Sequence, residues 1–304
     1  MRAFTLDSFD SPPGLRDDLP DPQAVDTELV VRVHASSANT VDAAIAGGVL
    51  RQMAEHDFPV TLGRDYAGIV EHAGSDTTKY RAGDEVYGFV PATHPTVHDG
   101  SWAELIVVPE SGWVAAKPAG LDLAAAGATP LAGITALAAL DALQPAEGET
   151  VLVIGATGGV GSFFVQLASA LGAHVVAPAL AEDAGYLGGL GVSEILDRGA
   201  DLATALGGRQ LDAVLDVVSF APQEALLSAK TRLASSNGAA GDGPGRFNLH
   251  AQPSPENLDR LAALLDAGSL GVSIQTSFEL AQADEALGFL ASGHTRGKVA
   301  VSVG

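Results

Sequence analysis

The chain of 304 residues contains no cysteine. That single absence removes disulfides, thiolate metal ligands and cysteine nucleophiles, and with them a secreted fold held by cross-links. Positive charge is also scarce. Sixteen Lys+Arg stand against 37 Asp+Glu, a net charge of −21, and lysine occurs only at positions 79, 117, 230 and 298. Nucleic acid and anionic membrane surfaces are held by clustered cations, so neither is an expected partner. The acids are spread along the chain rather than gathered in a tail. They describe a surface kept soluble by self-repulsion or, in a sharper reading, one adapted to high salt, where screening removes that repulsion. No apolar run of leader length opens the chain, which begins MRAFTLDSFDSPPG. The most apolar long stretch, 121–140, holds Asp122 and Pro130 and is rich in alanine, so it reads as a buried helix pair rather than a membrane span. A cytoplasmic protein is the expectation.

With 47% apolar residues the chain can bury a full core, and its length accommodates two domains. The two halves have different textures. Short β-branched segments at 28–35 (ELVVRVHA), 67–72, 84–89 and 102–108 are separated by Gly, Pro and Asp turns without intervening helices, which predicts an antiparallel, barrel-like or sandwich-like domain. After Pro118, buried strands alternate with helices: strand 150–155 (TVLVIG), helix 161–171, strand 174–177, then strand 212–218 (DAVLDVV) after another helical stretch. That alternation predicts a parallel sheet with right-handed crossovers. Residues 235–255 read as a long loop, 280–290 as an amphipathic helix, and 298–303 as a strand with no partner in the parallel half, free to return to the first domain.

The strongest chemical signal is GATGGVG at 155–161, directly after a strand and before a helix. Read as A-x-G-x-x-G, Ala156 makes the tight turn, Gly158 lets the backbone approach a pyrophosphate, and Gly161 permits close helix–strand packing. Thr157, Gly159 and Val160 complete the loop, and the helix that follows offers N–H groups and a positive dipole end to phosphates. A site for NAD places an acid at the end of the second strand to hold the ribose 2′-hydroxyl. Residues 175–181 are uncharged and Glu182 comes late, which weakens NAD. No Lys or Arg lies between Lys117 and Arg198 to take a 2′-phosphate, so the local sequence leaves the choice open. NADP(H) is favoured over NAD(H).

Several motifs in one order make the chain resemble the medium-chain dehydrogenase/reductase superfamily, in its zinc-independent quinone oxidoreductase branch. They are ASSANTVD at 35–42, GRDYAGIV at 63–70, AGDEVYGF at 82–89, GSWAEL at 100–105, AGITA at 132–136, GATGGVG at 155–161 and GKVAV at 297–301. The resemblance implies an α/β protein with a GroES-like β-rich catalytic domain (1–120 and 268–304) and an inserted Rossmann domain, a doubly wound parallel sheet (121–267), with the active site in the cleft between them. It also implies a homodimer and a small-molecule quinone or enone substrate. Zinc-dependent relatives use a Cys, a His and a second Cys or Asp as ligands. This chain has Asn39, Arg64 and Leu131 or Ala132 at those places, so no catalytic zinc can be assembled there. His94 and His98 are the alternative metal pair, but Pro95 between them argues for a solvated loop.

Without a Lewis acid to stabilise an alkoxide, alcohol chemistry loses its means, whereas a quinone or α,β-unsaturated carbonyl delocalises the charge of an added hydride by itself. The expected activity is therefore NAD(P)H-dependent hydride transfer to such an acceptor. The alternative is a catalytically weak nucleotide-binding protein, redox-sensing or structural, of the same fold. Carried over residue by residue, Asn39 lies beside nicotinamide and substrate, with an Asx turn as the competing role. Asp42, whose counterpart in zinc relatives orients the ligand histidine, is expected to pair with Arg64. Arg64 and Tyr66 are the nearest polar candidates for substrate contact, Tyr66 being equally a core residue. Thr135 is expected on the nicotinamide side, unless its hydroxyl bonds its own helix. Ala179 and Leu180, Val217, Val218 and Ser219, and Ser235 and Ser236 sit at carboxyl ends of strands, where ligands bind in open α/β sheets. Lys298 approaches the pyrophosphate, pairs with Asp65, or is a surface cation.

Overall fold

The computed structural model describes residues 1–93 and 96–304. His94 lies outside them, so the reading of His94 and His98 as solvated loop histidines rather than a metal pair has no structural account at His94; His98 Nδ1 is 2.6 Å from the Asp57 carbonyl oxygen. Two compact units result, one from residues 1–131, 252–267 and 272–304, the other from 132–251 and 268–271.

In the first unit the long strand Glu28–Ala38 organises a seven-stranded sheet: Leu29, Val30, Val31 and Val33 are buried and Arg32 alone is exposed, so the strand is covered on both faces over most of its length. Antiparallel to it run Asp65–Ala73, Leu105–Pro109 and the terminal strand Lys298–Ser302. The terminal segment thus returns to the first unit and pairs Val299 with Ala38 and Ser302 with Ala35. Glu85–Phe89, Val114–Ala116 and Ile274–Glu279 complete the sheet. Trp102, Tyr66, Leu29, Val31 and Val86 fill its core, with the Phe4 and Trp102 rings packed edge to face at 6.0 Å. Helix Pro255–Asp266 also belongs to this unit. Tyr87 donates its hydroxyl proton to the Leu258 carbonyl at 2.6 Å, and Asp266 accepts from the Gly120 N–H at 2.9 Å. The compact units therefore differ from the expected boundaries: this helix joins the β-rich unit through these tertiary bonds, and the first segment runs on to Leu131, whose N–H donates to Asp65 at 2.6 Å, neither of which local composition shows.

The second unit is a six-stranded, all-parallel sheet in the order Glu194–Asp197, His174–Ala179, Thr150–Ile154, Ala213–Asp216, Arg232–Ser235, Arg246–Asn248. In chain order that is 3-2-1-4-5-6, with the direction of winding reversing between Thr150–Ile154 and Ala213–Asp216. Strands one and four are buried almost throughout, as a sheet covered on both faces requires. The stretch 235–255, expected as loop, contains the edge strand Arg246–Asn248, whose pairing with Leu233–Ser235 overrides its Gly-rich surroundings. Among the described residues no helix is long and apolar enough to cross a membrane.

Candidate functional site

The second unit presents its glycine loop at the switch point. Gly155 has φ +92°, and a Cβ there would sit 2.7 and 2.8 Å from the side chains of Val217 and Val218. Only glycine makes this turn without strain. Helix Gly159–Ala170 starts immediately after, with Gly158 as N-cap and no side chain capping it. Its first-turn N–H groups have no partners within the helix by geometry, and the helix dipole adds positive potential. A Cβ on Gly161 would lie 2.1 Å from the Gly155 carbonyl oxygen and 2.7 Å from the Ala156 Cα, so the helix start is pressed onto the turn. These features fit a pyrophosphate held on backbone amides, the group that Ala156, Thr157, Gly158, Gly159, Val160 and Gly161 were expected to bind. Gly155, outside the expected set, is the residue whose backbone makes the loop possible. Its place directly after TVLVI was the available signal.

Neighbouring strand ends are organised by a residue the sequence reading passed over. Asp216, buried at the end of Ala213–Asp216, accepts from the Val218 and Ser219 N–H groups at 3.0 and 2.9 Å. Asn237 Nδ2 donates to the Val217 carbonyl at 3.1 Å. Val217, Val218 and Ser219 are thereby gathered beside Gly155, leaving Val218 exposed. Ser235 is turned inward, its Oγ accepting from the Asn237 and Ala239 N–H groups, so it shapes the loop instead of offering a hydroxyl to a ligand; Ser236 is exposed. Ala179 is buried and Leu180 exposed at the end of His174–Ala179, and Glu182 stands exposed in the following 3-10 turn. Thr135 is buried in helix Pro130–Leu143.

In the first unit, Asn39 ends the central strand and caps helix Thr40–Ala46, where its own N–H donates to Asp42 Oδ2 at 2.7 Å. The Asn39 side chain is held as firmly. Nδ2 donates to Asp65 Oδ2 at 2.9 Å, and Oδ1 accepts from Lys298 Nζ at 2.5 Å. Asp65 is fully buried and also accepts from Ser37 Oγ and the Leu131 N–H, both at 2.6 Å. Lys298 is therefore neither a surface cation nor open to a pyrophosphate, because its ammonium is buried against Asn39 and Asp65.

Asp42 and Arg64 approach each other as expected, but at 3.9 Å between Oδ1 and Nε, too far for a hydrogen bond. Both are buried, and neither of those two atoms has a hydrogen-bond partner among the described residues. The guanidinium instead donates to the carbonyls of Thr61 at 2.8 Å and Pro91 at 3.1 Å. Desolvation pushes the Asp42 carboxyl up to about 7, against the pull of Arg64 and the Asn39 N–H, and it lowers the Arg64 guanidinium from its ordinary value. Arg64 is thus a buried brace, not a substrate contact. Tyr66 is corrected likewise: it is wholly buried, its hydroxyl proton is given to the Trp113 carbonyl at 2.7 Å, and burial raises it well above the ordinary tyrosine value.

A 3-2-1-4-5-6 parallel sheet with a phosphate-shaped glycine loop, joined to a β-rich unit whose terminal strand returns to it, defines a pyridine-nucleotide-dependent oxidoreductase of the dehydrogenase type. Residues 25–119 match the alcohol dehydrogenase GroES-like domain family and residues 190–301 the zinc-binding dehydrogenase family. The chloroplast envelope quinone oxidoreductase homolog of Arabidopsis thaliana is 30% identical over 313 residues, covering 93% of this chain and 92% of the relative. The NADPH-dependent alkenal/one oxidoreductase of the same plant, chloroplastic, is 28% identical over 287 residues, covering 92% and 73%. Among solved structures, the quinone oxidoreductase from Coxiella burnetii aligns with a TM-score of 0.89 at 28% identity, over 100% of this chain and 99% of that one. The chain belongs to the medium-chain dehydrogenase/reductase superfamily, in its quinone oxidoreductase branch. The expectation of a cytoplasmic protein is corrected by the same findings, since both plant relatives are chloroplast proteins. A compartment is an address read by other machinery, which overall composition does not encode.

Proposed function

We propose that the protein reduces quinones or α,β-unsaturated carbonyls with NADPH and without zinc. The observation that carries this is the state of the three positions where zinc relatives place ligands. Asn39 has its amide committed to Asp65 and Lys298, Arg64 offers only donors, and Leu131 is apolar. None supplies the thiolate, imidazole or carboxylate lone pair a tetrahedral zinc needs. When bound, the reduced nicotinamide supplies a hydride, which with one proton from solvent converts a quinone to its hydroquinone or an enone to the saturated ketone. The chain's part is to hold the pyrophosphate on the amides of the Gly158–Gly161 turn, to present the strand-end loop ordered by Asp216, and to fix the amide of Asn39 at the substrate. Alignment of two reactants is worth up to roughly 7–11 kcal/mol of barrier, enough to make positioning the main contribution.

For NADP over NAD the support is Arg198. It follows strand Glu194–Asp197, its N–H donates to the Ala179 carbonyl at 3.1 Å, and it is exposed, so a cation borders the strand end where an NAD site carries an acid. The homodimer belongs to the same reading, with Arg246–Asn248 one of the two edge strands of the parallel sheet.

The experiment is oxidation of NADPH and NADH with 1,4-benzoquinone, 9,10-phenanthrenequinone and a simple enone, with zinc measured on the same sample. Turnover with NADPH at sub-stoichiometric zinc is expected. Cofactor binding with no acceptor reduced would support the nucleotide-binding alternative instead, and one zinc per chain would overturn the zinc-free reading.

A further inference from the structure

Lys298 opens the strand Lys298–Ser302 and is only 4% exposed. A buried ammonium is costly unless acceptors and opposite charge meet it. Its nearest partner is not the carboxylate but the asparagine: Nζ lies 2.5 Å from Asn39 Oδ1 and 3.5 Å from Asp65 Oδ2. The same Asp65 oxygen accepts from Asn39 Nδ2 at 2.9 Å. The ion pair is therefore built around an amide, with the amide oxygen on the cation and the amide nitrogen on the anion. Turning that amide by half a revolution would put its NH2 against the ammonium and its oxygen against the carboxylate, replacing two charge-assisted hydrogen bonds by two repulsive contacts. The carboxylate is itself immobilised, by Ser37 Oγ on one oxygen and the Leu131 N–H on the other.

We propose that Lys298 and Asp65 are positioning residues whose buried charges hold the Asn39 amide in one orientation, which makes the C-terminal strand a working part of the site. A buried ion pair adds little stability compared with apolar packing, so its use here is orientation. The inference rests on the reading that Asn39 lies beside the reacting groups, and the tests separate the two.

The first test needs no turnover. In ¹⁵N-resolved NMR the side-chain NH2 pair of Asn39, identified by its loss in Asn39→Ala, is expected to resist solvent exchange in the wild type and in Lys298→Arg, and to lose that protection in Lys298→Met. An unchanged Asn39 signal in Lys298→Met would overturn the clamp whatever the activity. The second test is steady-state NADPH oxidation. Lys298→Met is expected to lower kcat by roughly 100-fold, the scale of a small misplacement at the reacting centre, with KM for NADPH little changed and Lys298→Arg recovering most of the rate. Adding Lys298→Met to Asn39→Ala should cost nothing further; a double variant showing the product of the two losses would refute action through Asn39. Because Lys298→Met leaves Asp65 uncompensated, Lys298→Met/Asp65→Asn, neutral at both positions, is expected to melt cooperatively and show the same loss of kcat. Normal kcat in that variant, if it folds, would also refute the clamp. If the Asn39 signal responds as expected but the wild type reduces no acceptor, the clamp stands and the proposed function falls.

Discussion

Asp42 offers a test of how burial and pairing compete in this fold. Its carboxyl is inaccessible, its nearest cation is 3.9 Å away, and desolvation lifts it from 3.8 to about 7. A folded-state value above the unfolded one means the native protein binds more protons than the unfolded chain between those two values, so stability falls as pH rises through that window. The full shift corresponds to about 4 kcal/mol, reached above the folded value and absent below the unfolded one. The perturbation is Asp42→Asn, which keeps an acceptor for the Asn39 N–H but never ionises. Arg64, Asp65 and Lys298 also act on this carboxyl, and all three remain in both proteins. Urea unfolding of wild type and variant, compared as a difference, cancels the titration of the many surface acids. Between about pH 5 and about pH 8 the variant should gain about 2.5 kcal/mol on the wild type, the part of the shift falling in that range. A difference that stays flat, or that runs the other way, would mean the Arg64 charge outweighs desolvation and the reasoning is wrong.

Gly161→Ala forces a Cβ to 2.1 Å from the Gly155 carbonyl, so the helix must back away; a loss of about 1–3 kcal/mol in denaturation and weaker NADPH binding in a fluorescence titration are expected. Tyr66→Phe removes the hydrogen bond from the buried Tyr66 hydroxyl to the Trp113 carbonyl and should cost about 0.5–1.5 kcal/mol of stability while kcat holds; a collapse of kcat in a folded variant would restore Tyr66 to the chemistry. Arg198→Ala should raise KM for NADPH and leave KM for NADH alone, and equal effects on both would remove its role in phosphate preference. With a net charge of −21, the chain repels a polyphosphate cofactor at low salt, so NADPH affinity measured by titration should hold or rise as KCl is added, and a steep fall would count against the salt-adapted reading of the surface.

Much of the architecture was legible in the chain because it rests on local patterns. TVLVI followed by a glycine run and a helix specifies a strand, a tight turn and a phosphate-shaped helix start through backbone sterics alone, and the parallel sheet around it forms where expected. The lack of cysteine, with Asn39 and Arg64 at the places where zinc relatives carry ligands, is likewise read from the chain, and it is the basis of the zinc-free proposal. What residue types could not disclose is where each side chain spends its hydrogen bonds. Tyr66 and Arg64 read as polar candidates because their chemistry permits it, yet both are buried and committed to backbone carbonyls. Lys298 is 259 positions from Asn39 and touches it only because an antiparallel pairing of strands sets Val299 beside Ala38. Composition and short-range spacing are properties of neighbours along the chain. The amide orientation, the unsatisfied Asp42–Arg64 pair and the allegiance of helix Pro255–Asp266 are properties of neighbours in space, and only the folded packing brings those neighbours together.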